Sequence, residues 1–130
     1  MKKMLYVALL AFVLVGCQES LEERAAREAR ELTEKKCPMP MRDAPNLFLD
    51  SLVFDQSTLT LHHYYSLLLD TLVTIADYEG GRQALLQELK STPNYQPYRE
   101  HGFNFHYLYR IKSDPSFIFF ETTLRKEDYK

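Results

Sequence analysis

Apolar and polar positions along this chain repeat with two distinct periods. Over Thr58–Leu69, Leu59, Leu61, His63, Tyr65, Leu67 and Leu69 fall on one side, and Thr60, His62, Tyr64 and Ser66 on the other. That period of two predicts a strand with one buried face. Leu47–Phe54 is equally β-rich, and Asp55-Gln56-Ser57 between the two runs predicts a hairpin. Near the C-terminus, Phe103, Phe105, Tyr107, Tyr109 and Ile111 alternate with Asn104, His106, Leu108, Arg110 and Lys112. This is the pattern of a half-buried strand with an aromatic face. Ser113-Asp114-Pro115-Ser116 predicts the next turn and Phe117–Leu124 the return. Because Phe117 to Phe120 is apolar at every position, that strand is expected to be central or covered on both faces.

The helical period appears twice. Ser20 and Glu23 form a capping-box pattern ahead of a stretch free of Gly and Pro, with Glu23–Arg27 and Glu31–Lys35 at favourable spacing. Its apolar stripe, Leu21, Ala25, Ala29 and Leu32, is thin, so the helix either docks weakly or stands as a charged stalk. Cys37 to Pro45 carries three prolines and is expected to be an extended connector. Arg82–Ser91 predicts a helix with Leu85, Leu86 and Leu89 inward. Pro93 breaks it, and a short helix around Gln96–His101 closes on Gly102. Residues 70–81 mix helix and strand signals, and Gly80-Gly81 interrupts either. The sum is an α+β fold: a four-stranded antiparallel sheet from two hairpins in an αββαββ order, with helices packed on it.

The N-terminus changes the picture. Lys2 and Lys3 precede an apolar run from Met4 to Val15. As a helix this run reaches about 18 Å, short of the ~30 Å hydrocarbon layer, so it reads as a signal peptide rather than a span. It ends Leu14-Val15-Gly16-Cys17, which resembles the lipobox of bacterial lipoproteins. The resemblance implies removal of residues 1–16 and a diacylglycerol thioether on Cys17, the lipid-attachment residue. Two or three acyl chains make a stable anchor. The expected organisation is a signal peptide over residues 1–16, a lipidated N-terminus and charged helix over 17–36, and a small α+β domain over 37–130. Gln18 differs from the Asp that resembles an inner-membrane retention signal, which points to the outer membrane, on its periplasmic or surface face.

Charge and cysteine content narrow the partners. The 130 residues carry a net charge of −2, and losing Lys2 and Lys3 with residues 1–16 leaves 114 residues at −4. A net negative chain without a basic cluster argues against nucleic acid. With Cys17 lipidated, Cys37 is left without an internal disulfide partner and is expected to pack as a small hydrophobe.

Candidate chemistry is sparse. His62, His63, His101 and His106 lack metal-ligand spacing, although His62 and His106 can meet across neighbouring strands; no metal or other cofactor is expected. His63, sharing a face with leucines, is expected to be a hydrogen-bonded core histidine. Turn and capping roles account for Asp55, Asp70 and Asp77, while no nucleophile elbow or phosphate loop is present. Aromatics are the strongest remaining signal. Core packing accounts for most, and a strip of Tyr64, Tyr107 and Tyr109 is the expected interaction surface for a protein, peptide or glycan. Cys37-Pro38, the strand from Leu59 to Tyr64-Tyr65, Gly102 before Tyr107-Leu-Tyr109, and the final Glu127-Asp128-Tyr129-Lys130 together resemble small uncharacterised bacterial envelope lipoproteins. That resemblance implies a fold and no site. The expected function is a lipid-anchored, non-catalytic binding or adaptor module of the envelope. The alternative is an enzyme inhibitor or immunity-type protein.

Overall fold

Ser20 opens the first helix: its hydroxyl accepts from the Glu23 N–H at 3.1 Å, a cap worth about 1 kcal/mol. The computed structural model describes residues 18–42, 44–68 and 77–130. The elements run α1 (Leu21–Lys36), β1 (Met39–Met41), β2 (Ala44–Asp55), β3 (Thr60–Leu67), α2 (Tyr78–Ser91), a 3-10 turn (Pro93–Tyr95), α3 (Gln96–Glu100), β4 (Asn104–Ile111), β5 (Asp114–Leu124) and α4 (Lys126–Tyr129). The expected lipid-attachment residue Cys17, the signal segment and residues 69–76 lie outside the described residues.

The five strands form one sheet in chain order, with every neighbouring pair antiparallel except β3 and β4. The α+β class therefore holds, and the expectation of four antiparallel strands is corrected on two counts. Between β3 and β4 the chain returns to its starting end through α2 and α3, so β4 runs beside β3 in the same direction, from Thr60↔Asn104 to Leu67↔Ile111. A long helical crossover of this kind is what parallel pairing needs, whereas periodicity carries no strand direction. The second correction is β1: the proline-rich connector is itself a short edge strand on β2. There the missing N–H of Pro40 is tolerated.

Strand β2 shows how an irregular pattern still fills one face. Leu47 and Leu49 are two apart, but Leu52 and Phe54 are out of step with them. A bulge between Leu49 and Ser51 absorbs the extra residue and returns the later pair to the covered face, where Leu49, Leu52 and Phe54 are buried. Beyond Leu49, β1 no longer pairs with β2. Thr33 of α1 takes over, its hydroxyl accepting from the Leu52 N–H at 2.9 Å. That contact, with Ala25 and Ala29 each 2% exposed, docks α1 on the sheet and excludes the stalk. Its ion pairs differ from those expected: Arg27 meets Glu19 and Glu31, and Arg24 meets Glu28.

All the helices flank one face. α2 reaches over β5, where Tyr78 donates to the Thr122 hydroxyl (3.0 Å) and its ring lies tilted against Phe120 at 5.3 Å. Gly80 and Gly81 lie inside the first turn of α2 rather than interrupting it. Asp77 accepts from the Gly80 N–H at 2.9 Å, and a Cβ at residue 80 would fall 2.2 Å from that carboxylate. β5 is an edge strand with Ile118 44% exposed, which corrects the expected central position. Its aromatic run reflects Phe119 and Phe120 both lying against Tyr109, at 5.8 and 5.6 Å.

The C-terminus latches the fold. Asp128 accepts from the Arg125 N–H and pairs with Arg82 of α2 at 3.0 Å. Tyr129 donates to the Phe103 carbonyl at 2.7 Å, just after Gly102 turns the chain at φ +81°. Phe103 is 0% exposed, so removing that hydroxyl strips a buried carbonyl of a partner. Tyr129→Phe is expected to cost about 1–2 kcal/mol in urea denaturation.

Candidate functional site

The odd positions of β3 and β4 face the helices, and here they are not purely apolar. His63 and Tyr65 of β3 lie beside Tyr107 and Tyr109 of β4. Their rings stack across the strands, His63 on Tyr107 at 4.4 Å and Tyr65 on Tyr109 at 4.5 Å. Stacked in this way, the rings turn edges and hydroxyls rather than faces toward the helices.

Above them α1 leans on β2 while α2 leans on β5 and α4, and the space between is not filled. A cavity of about 220 Å³ remains, walled by Leu32, Met39, Met41, Leu52 and Leu89. His63, Tyr65 and Tyr107 form its floor, Tyr95 and Thr92 close one side, and exposed Glu88 stands at its mouth. A second hollow of about 340 Å³ continues along α1 past Glu28, Tyr95 and Tyr98, sharing Leu32, Leu52, Thr92 and Tyr95 with the first.

The polar floor has a defined hydrogen-bond state. His63 Nδ1 lies 3.2 Å from the His106 carbonyl, which can only accept, so Nδ1 carries the proton. Nε2 is left to accept from the Tyr95 hydroxyl at 3.1 Å. Burial of an imidazole only 4% exposed pushes its pKa down to about 4. Tyr95, with its hydroxyl committed to His63, is pushed up to about 12, chiefly by burial and then by the Glu88 charge. Burial likewise raises Tyr65 and Tyr107, reinforced by neighbouring tyrosines and by Glu88. Both stay protonated. Tyr65 is 8% and Tyr107 5% exposed, yet among the described residues no buried side-chain oxygen lacks a partner, so their hydroxyls, which bond no other described group, open onto the cleft.

The opposite face of the sheet carries the second histidine cluster. His62 and His106 sit opposite each other, as expected, with Nδ1 atoms 2.8 Å apart, and His106 Nε2 donates to Glu121 at 2.6 Å. In the neutral pair His62 therefore donates and His106 accepts. Burial, then the His106 charge, lowers the His62 pKa. Among the described residues no three metal-ligating side chains converge.

These structural features correspond to one family match. A domain of unknown function, DUF8479, matches residues 20–119. The chain belongs to the DUF8479 family. No curated protein and no solved structure matches it.

The cleft of this DUF8479 domain lies wholly within the matched residues. Its geometry divides the expected tyrosine strip. Tyr107 and Tyr109 are on the helix side, whereas Tyr64 is on the other, packed against His62 and His106 with Arg110 6.0 Å above its ring. A single strip of Tyr64, Tyr107 and Tyr109 is therefore corrected: even and odd positions of the paired strands point to opposite faces. His63 is the hydrogen-bonded core histidine that its position implies. Asp55 and Asp77 serve a turn and a helix cap, and Asp70 lies outside the described residues. Cys37 is free and half-buried, its thiol pushed up by burial. Tyr65, Tyr95, Glu88, Met39 and Met41 were not indicated by motif. The available signal was the run of polar-tipped rings at inward positions, His63, Tyr65, Tyr107 and Tyr109, whose polar tips a plain core has no use for.

Two outcomes follow for the floor. His63 has its ordinary pKa of 6.5 when unfolded and about 4 when folded, so the unfolded chain binds the extra proton. Its contribution is intact above pH 6.5 and is lost as pH falls, by about 2 kcal/mol at pH 5 and about 3 kcal/mol at pH 4. Urea denaturation across that range is expected to show the loss, while the His63 ring stays neutral by NMR at pH 5. Tyr65→Phe and Tyr107→Phe remove hydroxyls that hold nothing in the fold, and each is expected to change stability by less than about 0.5 kcal/mol. Denaturation midpoints check this.

Proposed function

We propose that this DUF8479 protein is a lipid-anchored, non-catalytic binding module of the cell envelope, with the cleft between α1 and α2 as its binding site. The observation that carries the binding reading is the pair of tyrosine hydroxyls, Tyr65 and Tyr107, that open onto a concave, largely apolar cleft with no bond to another described group. A concave apolar site with a few inward polar groups is the usual form of a small-ligand site. The non-catalytic reading is supported by the state of the groups in it. His63 has both ring nitrogens engaged, and the tyrosines are held protonated. Neither is poised to move a proton near neutral pH.

The envelope part of the reading is supported by the basic, apolar and Gly16-Cys17 segments. It places Cys17 as the acylated residue, most readily in the outer membrane. A second reading, an inhibitor or immunity-type protein, has one observation behind it. β5 is a long edge strand with an exposed Ile118, and an open edge can be extended by a partner's strand.

In the native host, Cys17→Ser is expected to abolish acyl labelling and leave the precursor uncleaved. Immunoblotting and mass spectrometry of the N-terminus read the result, and normal maturation of the mutant would overturn the anchor.

A further inference from the structure

The charged side chains that line the cleft are acidic, Glu28 paired with Arg24 at 2.9 Å and Glu88 without an ion-pair partner among the described residues. Among the described residues, Glu88 is the charged side chain lining the first cavity and Glu28 the one lining the second; neither lining includes Lys or Arg. His63, the remaining basic group in the first cavity, has Nδ1–H committed to the His106 carbonyl and Nε2 to Tyr95. Burial keeps the ring neutral near pH 7, so it offers a ligand no positive charge. The cavity thus presents one acceptor-only group, the Glu88 carboxylate, and two hydroxyls, those of Tyr65 and Tyr107, that can accept or donate, beneath walls of leucine and methionine.

A primary ammonium has three N–H donors and no acceptor; the Glu88 carboxylate can take one as an ion pair, and the two hydroxyl oxygens have lone pairs for the others. A carboxylate would meet Glu88 as a like charge. Size sets the remainder of the ligand: a cavity of ~150 Å³ accepts benzene, so about 220 Å³ admits a ring with a short arm. We infer that the ligand of this cleft is a small primary amine, protonated, on an apolar or aromatic body. The inference rests on the cleft being the binding site.

Three probes with one apolar body and different heads test it: 2-phenylethylamine, 2-phenylethanol and phenylacetate. They are titrated into the full chain in detergent micelles, with the methyl signals of Met39 and Met41 in the cavity wall as the readout and empty micelles as control. The amine is expected to bind at least about tenfold more tightly than phenylacetate, the worth of one charge-assisted hydrogen bond. Glu88→Gln is expected to weaken the amine by a similar factor and leave 2-phenylethanol unchanged. Glu88 is exposed on α2, so the substitution leaves the core untouched. Phenylacetate binding as tightly as the amine, or an amine indifferent to Glu88→Gln, overturns the ligand class while the cleft reading stands. Failure of all three probes to shift Met39 and Met41 overturns the cleft reading itself.

Discussion

Across the β3–β4 seam, His63 lies on Tyr107 and Tyr65 on Tyr109, each about one ring thickness apart. This pair of stacks joins the two halves of the molecule. β1–β2–β3 on one side and β4–β5 on the other are each built from antiparallel neighbours, and this parallel pairing is what makes them one sheet. In-register parallel strands place like positions side by side, so inward aromatics on both strands meet as rows. Offset-stacked rings are worth roughly 0.5–1.5 kcal/mol per pair beyond burial. The same stacking stands the rings on edge, which is why the floor of the cleft is made of hydroxyls.

The cleft follows from where the helices find support. α1 rests small residues, Ala25 and Ala29, on β2, and small residues bring a helix close to the strand beneath it. α2 is drawn to the other flank by Tyr78 on Thr122, by Phe120 against Gly81, and by Arg82 on Asp128. Neither helix therefore sits over the seam. Large apolar side chains from α1 and α2 close most of the gap, but a core filled to ordinary density would have no room for cavities on this scale.

Much of this was legible in the sequence, and the remainder was hidden for identifiable reasons. Period-two runs located β3 and β4, the capping residue Ser20 located α1, and Gly102 marked the turn into β4, because each depends on local geometry. Strand direction depends on where a crossover delivers the chain, which no local pattern encodes; hence the antiparallel expectation. The division between Tyr64 and Tyr107 is a parity effect. It becomes visible only once the register Tyr65↔Tyr109 is known. Phe117 to Phe120 read as a central strand because apolar composition does not distinguish burial beneath a helix from burial between strands. The cavity itself was beyond sequence reasoning, since an absence of atoms depends on how far apart two helices dock.

Under the proposed anchor, the docked state of α1 also sets where the cleft stands. Only Gln18, Glu19 and Ser20 separate Cys17 from the first residue of α1, and three residues reach at most about 11 Å. A lipid on Cys17 would therefore hold the domain close to the headgroups rather than on a free stalk. Glu19 and Glu22 are already engaged there, Glu19 with Arg27 and Glu22 with His101, so the acidic residues nearest the membrane are tied into the fold. α1 spans about 24 Å over its 16 residues. Leu32, Met39 and Met41, which wall the first cavity, lie toward the far end of that length. With α1 directed away from the bilayer, the proposed anchor would leave the first cavity at the far end of the helix and the second hollow on its lipid side.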